Sequence, residues 1–488
     1  MGSASQPQSS THAPQGTISS TMTPMGHRMR DEHFLFEKGF VNLNHGSFGT
    51  YVKCVRDKLR SLQDAAEAAP DRYIRYEYPR LLDASRAVMA EYLQVPVGDV
   101  VYIANATMAV NAILRNLKFE EGDLIVYLDR IYGACEKTID FLVETTPVES
   151  VKIEYTYPIS DDDLVAKFQQ TLASHKGKVK VALFETIASL PGVRLPFERL
   201  VAVARSEHVL SLVDGAHAVG HFPIDLLKFQ PDFFVSNCHK WLFAPRGCAV
   251  LYVPERNQHL MRSSLPTSHY FVPVPRPGVP PANNPLPPTG KSNFVSQFEF
   301  VGSVDNAPFL CLEEALRFRK EVCGGEAAIM KYCHDLAHAG GRRVAEILGT
   351  EVMDNDTHTL TKECCLVNVR LPLEVSDDDN DDKVQPMGNN SASAPDSTAA
   401  DSPQRVVAKV PLGHVSTVTN FFASNCVTEH STFIAFIFYR NAWWARFSAQ
   451  VYLEMEDFEY GAQVIEALCQ SVAQRAYTPT LPASVACC

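Results

Sequence analysis

No apolar run in the chain approaches the roughly 20 residues that a membrane-spanning helix needs, so a membrane partner is not expected. Positive charge is not in excess either. Lys and Arg number 44 against 56 Asp and Glu, and the formal net charge of −12 argues against sequence-independent nucleic-acid binding. The first 22 residues hold no Asp, Glu, Lys or Arg, and lack the basic start and apolar centre of a secretory signal. Met1-Gly2 opens like a myristoylation start, but Gln6 stands where Ser or Thr is wanted. The 13 cysteines show no paired spacing, which fits a reducing, cytoplasmic compartment. Cys238-His239 has no second ligand pair at zinc spacing, so no metal is expected. The acidic run 377–382 lacks the glycine and the closing glutamate of a calcium loop. There is no internal repeat.

What is present is a chain of 488 residues, 46% hydrophobic, able to bury a large core in two or three domains. Residues 1–26 read as a disordered tail and 27–60 as an N-terminal arm. From residue 100, short apolar strands alternate with amphipathic helices: strands at 100–104, 123–129, 149–155, 179–185, 209–213, 232–236 and 248–253. That alternation predicts an α/β fold with a mostly parallel sheet covered on both faces. This large domain is expected to span 61–314. Within it, residues 273–288 hold eight prolines in sixteen positions and predict a stiff, extended loop. Phe298 to Ser303 reads as a strand turning at Gly302. A smaller α+β domain is expected over 315–478, with helices at 312–321 and 326–348 and strands at 350–354 and 364–370. Strands are also expected at 432–438 and 443–448, with a final helix over 456–474. Residues 374–405, acidic and then rich in Ser, Ala, Pro and Asn, read as a solvated insertion, and 479–488 as a tail.

Ligands of such sheets bind outside the carboxyl ends of the strands. Asn105-Ala106-Thr107, Tyr132, Ser189, Asp214 and Lys240 all fall at or just after those ends. Lys240 lies in a turn between two apolar strands. It is either a loop-edge lysine with its amine in water or a reactive one. Asp214 ends the strand before. A strand-end Asp with a strand-turn Lys is what pyridoxal 5'-phosphate (PLP) chemistry requires: the Lys forms a Schiff base and the Asp keeps the pyridine nitrogen protonated. Ala106 and Thr107 open a helix whose free N–H groups suit a phosphate, or the segment is an ordinary cap. Asn237 and His239 flank Lys240 and face the same phosphate or none. Tyr132 stacks on a ring, passes a proton or is a core tyrosine. Arg446, on an aromatic strand, is a surface residue with a packed stem or a clamp for a substrate carboxylate. Asn42 to Gly49 is a tight loop that brings backbone to a ligand, or an ordinary turn.

Asn44-His45-Gly46, Asn105-Ala106-Thr107, Asp214-Gly215-Ala216-His217, Asn237 to Lys240 and Arg446-Phe447-Ser448 together resemble the class V PLP enzymes, the group of cysteine desulfurases and isopenicillin N epimerase. The likeness covers about 35–372 and 430–475. Within that group the chain is most similar to the hercynylcysteine sulfoxide lyases of ergothioneine synthesis. Asn42 to Thr50, Tyr132-Gly133-Ala134-Cys135, Ser236 to Trp241, Pro245 to Val250, Leu265 to His269 and Ser448 to Glu454 carry this closer likeness. The resemblance implies the type I fold of PLP-dependent transferases. It implies Lys240 as the Schiff-base lysine, Asp214 on the pyridine nitrogen and His217 near the phenolic oxygen. Ala106, Thr107, Asn237 and His239 would hold the phosphate. Ser303 would reach the phosphate of the neighbouring subunit, which implies a homodimer. Asn44, His45 and Arg446 would bind a small sulfur amino acid, Arg446 through its α-carboxylate. The implied reaction is β-elimination of a cysteine sulfoxide, with Tyr132 as the candidate acid for the leaving sulfenate. Epimerase or aminotransferase chemistry is an alternative, as is a desulfurase with Cys426 as its mobile thiol. A binding protein that merely kept the fold is the remaining one.

Overall fold

The computed structural model describes residues 22–278, 290–376 and 405–477. Seven strands form the main sheet: β1 (Val100–Ile103), β2 (Leu124–Leu128), β3 (Glu149–Ile153), β4 (Val179–Glu185), β5 (Leu210–Asp214), β6 (Phe233–Asn237) and β7 (Ala249–Tyr252). Their order across the sheet is β1-β7-β6-β5-β4-β2-β3. β2 to β6 pair in parallel, and β7 runs against both its neighbours. The reason is in the composition. β1, β2, β6 and β7 are buried along their whole length, as strands with helices on both faces must be. β3, at the edge, alone has mostly exposed residues, among them Glu149 and Lys152.

A second sheet packs β8 (Leu366–Arg370), β9 (Ala435–Tyr439) and β10 (Ala442–Ser448) antiparallel in the order β9-β10-β8. Behind it cross the helices Glu326–Leu348 and Met455–Ala473. Gly340 and Gly341 allow this close approach, because a Cβ at either would meet Phe458 or Val367 at 2.4 Å.

Three expectations are corrected. Phe298 to Ser303 is not a strand. A helix runs from Asn293 to Glu299, and the Ser292 side chain caps it by accepting from the Val295 N–H. Phe294, Val295 and Phe298 stand at helical spacing, and the cap outweighs the local alternation. The strand expected at 350–354 is reduced to one bridge, Val352 to Val369. Residues 23–26 belong to the folded body and not to a tail, since Thr23 N–H donates to Val322 O and Gly26 N–H to Val451 O. Most of the proline-rich loop, the core of the acidic insertion and the residues from 478 on lie outside the described residues. The two short strands that flank the insertion, Leu373–Ser376 and Ala408–Pro411, pair in parallel.

Candidate active site

Lys240 sits in a one-turn helix, Cys238–Trp241, between β6 and β7. Its backbone is clamped. His45 Nε2 donates to Lys240 O at 2.5 Å, and Arg319 Nη1 donates to Trp241 O at 2.6 Å. Gly49 (φ +62) closes over the same turn, where a Cβ would lie 1.8 Å from His239 O. The glycine therefore lets backbone approach backbone, not a ligand. The Lys240 amine lies 3.0 Å from His217 Nε2. Trp241 Nε1–H donates to His217 Nδ1 at 3.3 Å, which leaves Nε2 to carry the ring proton toward the amine. An amine met by an N–H is one that accepts, hence neutral. Burial, reinforced by the Arg446 charge, draws Lys240 down to about 8, against the opposing pull of Asp214 and Glu185.

Asp214 ends β5 and is buried. Its Oδ1 accepts from Ala216 N–H at 2.9 Å, and its Oδ2 from the Cys135 thiol at 3.4 Å. Asn237 Oδ1 accepts from Ala106 N–H at 2.9 Å, and Asn105 Oδ1 from Met108 N–H at 2.9 Å. The Ala106 N–H expected to meet a phosphate is therefore already taken. Thr107, N–H and hydroxyl, is left as the donor of this helix's first turn. His239 Nδ1–H donates to Cys248 O at 3.0 Å, so its Nε2 is a lone pair, and burial pulls the ring down to about 4.

Arg446, in β10, is 1% exposed. Nη1 donates to Ser189 O at 2.6 Å, and Nη2 to Asn44 Oδ1 at 2.8 Å and Ser47 Oγ at 2.7 Å. All three acceptors are neutral, and Nε has no partner. Burial lowers this guanidinium to about 10. A buried cation without a counter-charge is costly unless an anion joins it. Asn44 thus holds Arg446. His45 is spent on the protein, since its Nδ1 meets Tyr452 Oη at 3.0 Å and its Nε2 serves Lys240 O. No ring nitrogen of His45 is left for a substrate, which corrects that expectation.

Tyr132 precedes the helix Gly133–Thr145 and is 49% exposed, so it is not a core tyrosine. Its N–H donates to Glu185 Oε1 at 3.2 Å. Ser303 is exposed, and among the described residues no hydrogen bond joins it to the other site residues. Sequence reasoning missed Ser47, Glu185 and Arg319. Ser47 and Glu185 both lie in segments already singled out by strand ends and motif. Arg319 gives no local signal, because it is one charge of an amphipathic helix, Leu312–Glu321. Behind Trp241, His221, His334 and Cys365 cluster within 4.8 Å. His221 Nε2 accepts from Cys365 N–H at 2.6 Å, and His334 Nε2 donates to His221 O at 2.8 Å, so these nitrogens serve to tie the chain.

A half-buried lysine and a buried aspartate at the ends of adjacent elements, the Thr107 N–H left at a helix start and a buried arginine without a counter-charge fit PLP and an amino acid. The class-V aminotransferase family model matches residues 73–376, and the chain belongs to this PLP-dependent enzyme family. It is 36% identical to the L-cysteine desulfhydrase-like protein lolT1 of Epichloe uncinata, over 94% of this chain and 99% of that one. It is 27% identical to the hercynylcysteine sulfoxide lyase of Schizosaccharomyces pombe, over 91% and 98%. Among solved structures, the cystine C-S lyase C-DES with cysteine persulfide superposes with a TM-score of 0.65 at 16% identity, over 88% of this chain and 98% of that one.

Proposed function

We propose that the chain is a cytoplasmic, homodimeric C–S lyase that cleaves hercynylcysteine sulfoxide by β-elimination. With one water consumed in hydrolysis of the eliminated enamine, the products are pyruvate, ammonia and a sulfenic acid, which two equivalents of an external thiol reduce to ergothioneine, leaving a disulfide and water. The observation that carries the reading is Arg446, a buried cation with only neutral partners and a free Nε, facing the same site as a lysine drawn toward neutrality. An α-amino acid supplies the missing anion. Bidentate capture of its carboxylate orients Cα over Lys240.

When bound, PLP would supply an electron sink that acidifies the substrate Cα–H. Asp214 would keep the pyridine nitrogen protonated, and the Thr107 N–H and hydroxyl would hold the phosphate. Lys240 Nζ, freed once the substrate's amine has displaced it, removes the Cα proton as a neutral base. His217 Nε2–H faces that amine and keeps it from needing a proton of its own. The Cβ–S bond then breaks with its electron pair on sulfur, and Tyr132, open to solvent at the mouth, gives the leaving group its proton or packs against the ring. A sulfenate is a better leaving group than a thiolate, so its loss from Cβ outruns return of a proton to Cα, which favours elimination over epimerisation.

The desulfurase alternative loses support. Cys426 is buried in the helix Val415–Thr428, and burial pushes its thiol to about 11, so it is neither mobile nor nucleophilic. The 36% identity to L-cysteine desulfhydrase-like proteins supports a second reading, elimination of sulfide from cysteine at the same site.

One experiment separates them. Pyruvate release by the purified, PLP-loaded protein is measured with hercynylcysteine sulfoxide, S-methylcysteine sulfoxide and cysteine. Fast release from the first alone establishes the proposal. Fast release from cysteine alone establishes the second reading. No release from any of them, with cofactor absorbance intact, overturns both and returns epimerase or aminotransferase chemistry.

A further inference from the structure

The ends of β4 and β5 set two carboxyl groups side by side, and the reaction above uses one. Glu185 and Asp214 are register partners on parallel strands, 5% and 3% exposed. Register partners lie about 4.8 Å apart along the sheet and project to the same face. Two buried carboxylates at such a separation do not both ionise unless cations compensate them. The titratable groups that act on Glu185 are Asp214, Lys240 from the one-turn helix, Cys135 from the helix after Tyr132, and Tyr155 and Tyr157 beyond β3. Only Lys240 among these can be cationic, and His217 N–H faces its amine.

The two carboxyls are not equivalent. Asp214 accepts two donors, Ala216 N–H and the Cys135 thiol. Glu185 accepts one, Tyr132 N–H. Each donor favours the ionised form of the group that receives it. We infer that Glu185 is carried as the neutral acid, leaving Asp214 as the sole carboxylate of the pair, and that the Cys135 thiol decides which of the two holds the proton. Burial and the Asp214 neighbour push Glu185 well above the usual carboxylate range. The rise in Asp214, also from burial, is opposed by its two donors.

Glu185 is then a positioning residue. Its carbonyl oxygen fixes the main chain that presents the Tyr132 ring, and it brings no second negative charge to Lys240. Its value to the reaction rests on the lyase reading, but the proton itself does not. The test uses the full-length, PLP-loaded protein and no turnover. Infrared difference spectra at neutral pH, wild type against Glu185→Gln, should show the carbonyl stretch of a buried acid that only the wild type has. The pH midpoint of the bound cofactor's visible absorbance should move by less than about threefold in proton concentration, because a neutral group has replaced a neutral group. With isotope-labelled glutamate marking the Glu185 carbonyl, Cys135→Ala, which keeps both carboxyls, should at least halve the Glu185 component of the acid band as the proton passes to Asp214, and Cys135→Ser should retain it. Absence of the band from wild type, its survival in Glu185→Gln, or a larger shift of the midpoint overturns the inference. An unchanged band in Cys135→Ala overturns the role of the thiol. Glu185→Met replaces Glu185→Gln should the latter fail to fold. Spectra as expected with no pyruvate from any substrate would sink the lyase reading alone.

Discussion

The floor of the site and its rim are built on opposite principles. On the floor, Lys240, Trp241, His217, His45 and Arg319 are tied to one another through buried or half-buried hydrogen bonds, and the buried Asp214 is held by Ala216 N–H and the Cys135 thiol. At the rim, Tyr132 is half exposed, and Phe48, one residue beyond Ser47, is 70% exposed. The floor is therefore assembled before any substrate arrives, which is how positioning lowers a barrier without a cost at the moment of reaction. The rim has exposed aromatic faces, which on the proposed reading are suited to whatever hangs from sulfur, a trimethylammonium group included. Chemistry and selectivity are thus written in two regions that mutation can separate.

The largest blow to the floor is Lys240→Ala. Pyruvate release should fall by roughly 10³-fold, the middle of the range for loss of a general base, and the visible absorbance of bound cofactor should change with it. Next is Arg319→Met. It leaves Glu326 without its cationic partner, only the Tyr92 hydroxyl still donating to it, and Trp241 O without its donor. Breaking a buried pair costs about 3 kcal/mol or more, which urea denaturation would register. Activity should fall too, since the turn that carries Lys240 loses one of its two clamps. Arg446→Gln should raise KM on the order of 10²-fold while leaving stability nearly unchanged, because the hydrogen bonds lost to Ser189 O, Asn44 and Ser47 are offset by removal of a buried charge that has no counter-ion. A loss of stability instead would recast Arg446 as a structural pin.

The floor should also be acid-sensitive. Burial holds His45 at about 3 and His239 at about 4, against an ordinary 6.5. Between those values and 6.5 the unfolded chain binds more protons than the folded one. Stability is thus fully present above 6.5 and is lost as pH falls, at up to about 1.4 kcal/mol per unit for each ring. Melting curves at pH 7 and pH 5 check the direction. His45→Gln should flatten the slope.

This division also explains what was readable from sequence. Strand order aside, β4 was placed to the residue, and the helices 312–321 and 326–348 likewise, because their periodicity is strong and their ends are capped by turns. Lys240 and Asp214 were singled out because chemistry restricts which residue types can stand at a strand end, and Arg446 because an arginine on an aromatic strand can clamp a carboxylate. The floor's supports were not. Arg319 lies 79 positions from Lys240, and nothing local marks a helical arginine as buried. Ala106 and His45 were correctly located but wrongly employed, since only the fold shows that Asn237 takes the one N–H and Lys240 O the other. The helix at 293–299 was mistaken because a few residues of alternation outweighed a serine cap.

The smallest effect is expected at Tyr132, and it sharpens the comparison most. Its hydroxyl stands at the exposed end of a residue whose main chain alone is anchored, by Glu185. Packing against the ring needs only the face of the side chain, so Tyr132→Phe would retain nearly the full rate. Delivering the sulfenate's proton needs the hydroxyl, and its loss would cost on the order of 10²-fold. The substrate series resolves which holds. A sulfenate leaving group needs little help from an acid, whereas the sulfide leaving from cysteine needs more. Tyr132→Phe should therefore leave hercynylcysteine sulfoxide turnover within about threefold of wild type and depress cysteine turnover further. Equal loss on both would move the hydroxyl from the rim to the machinery of the floor.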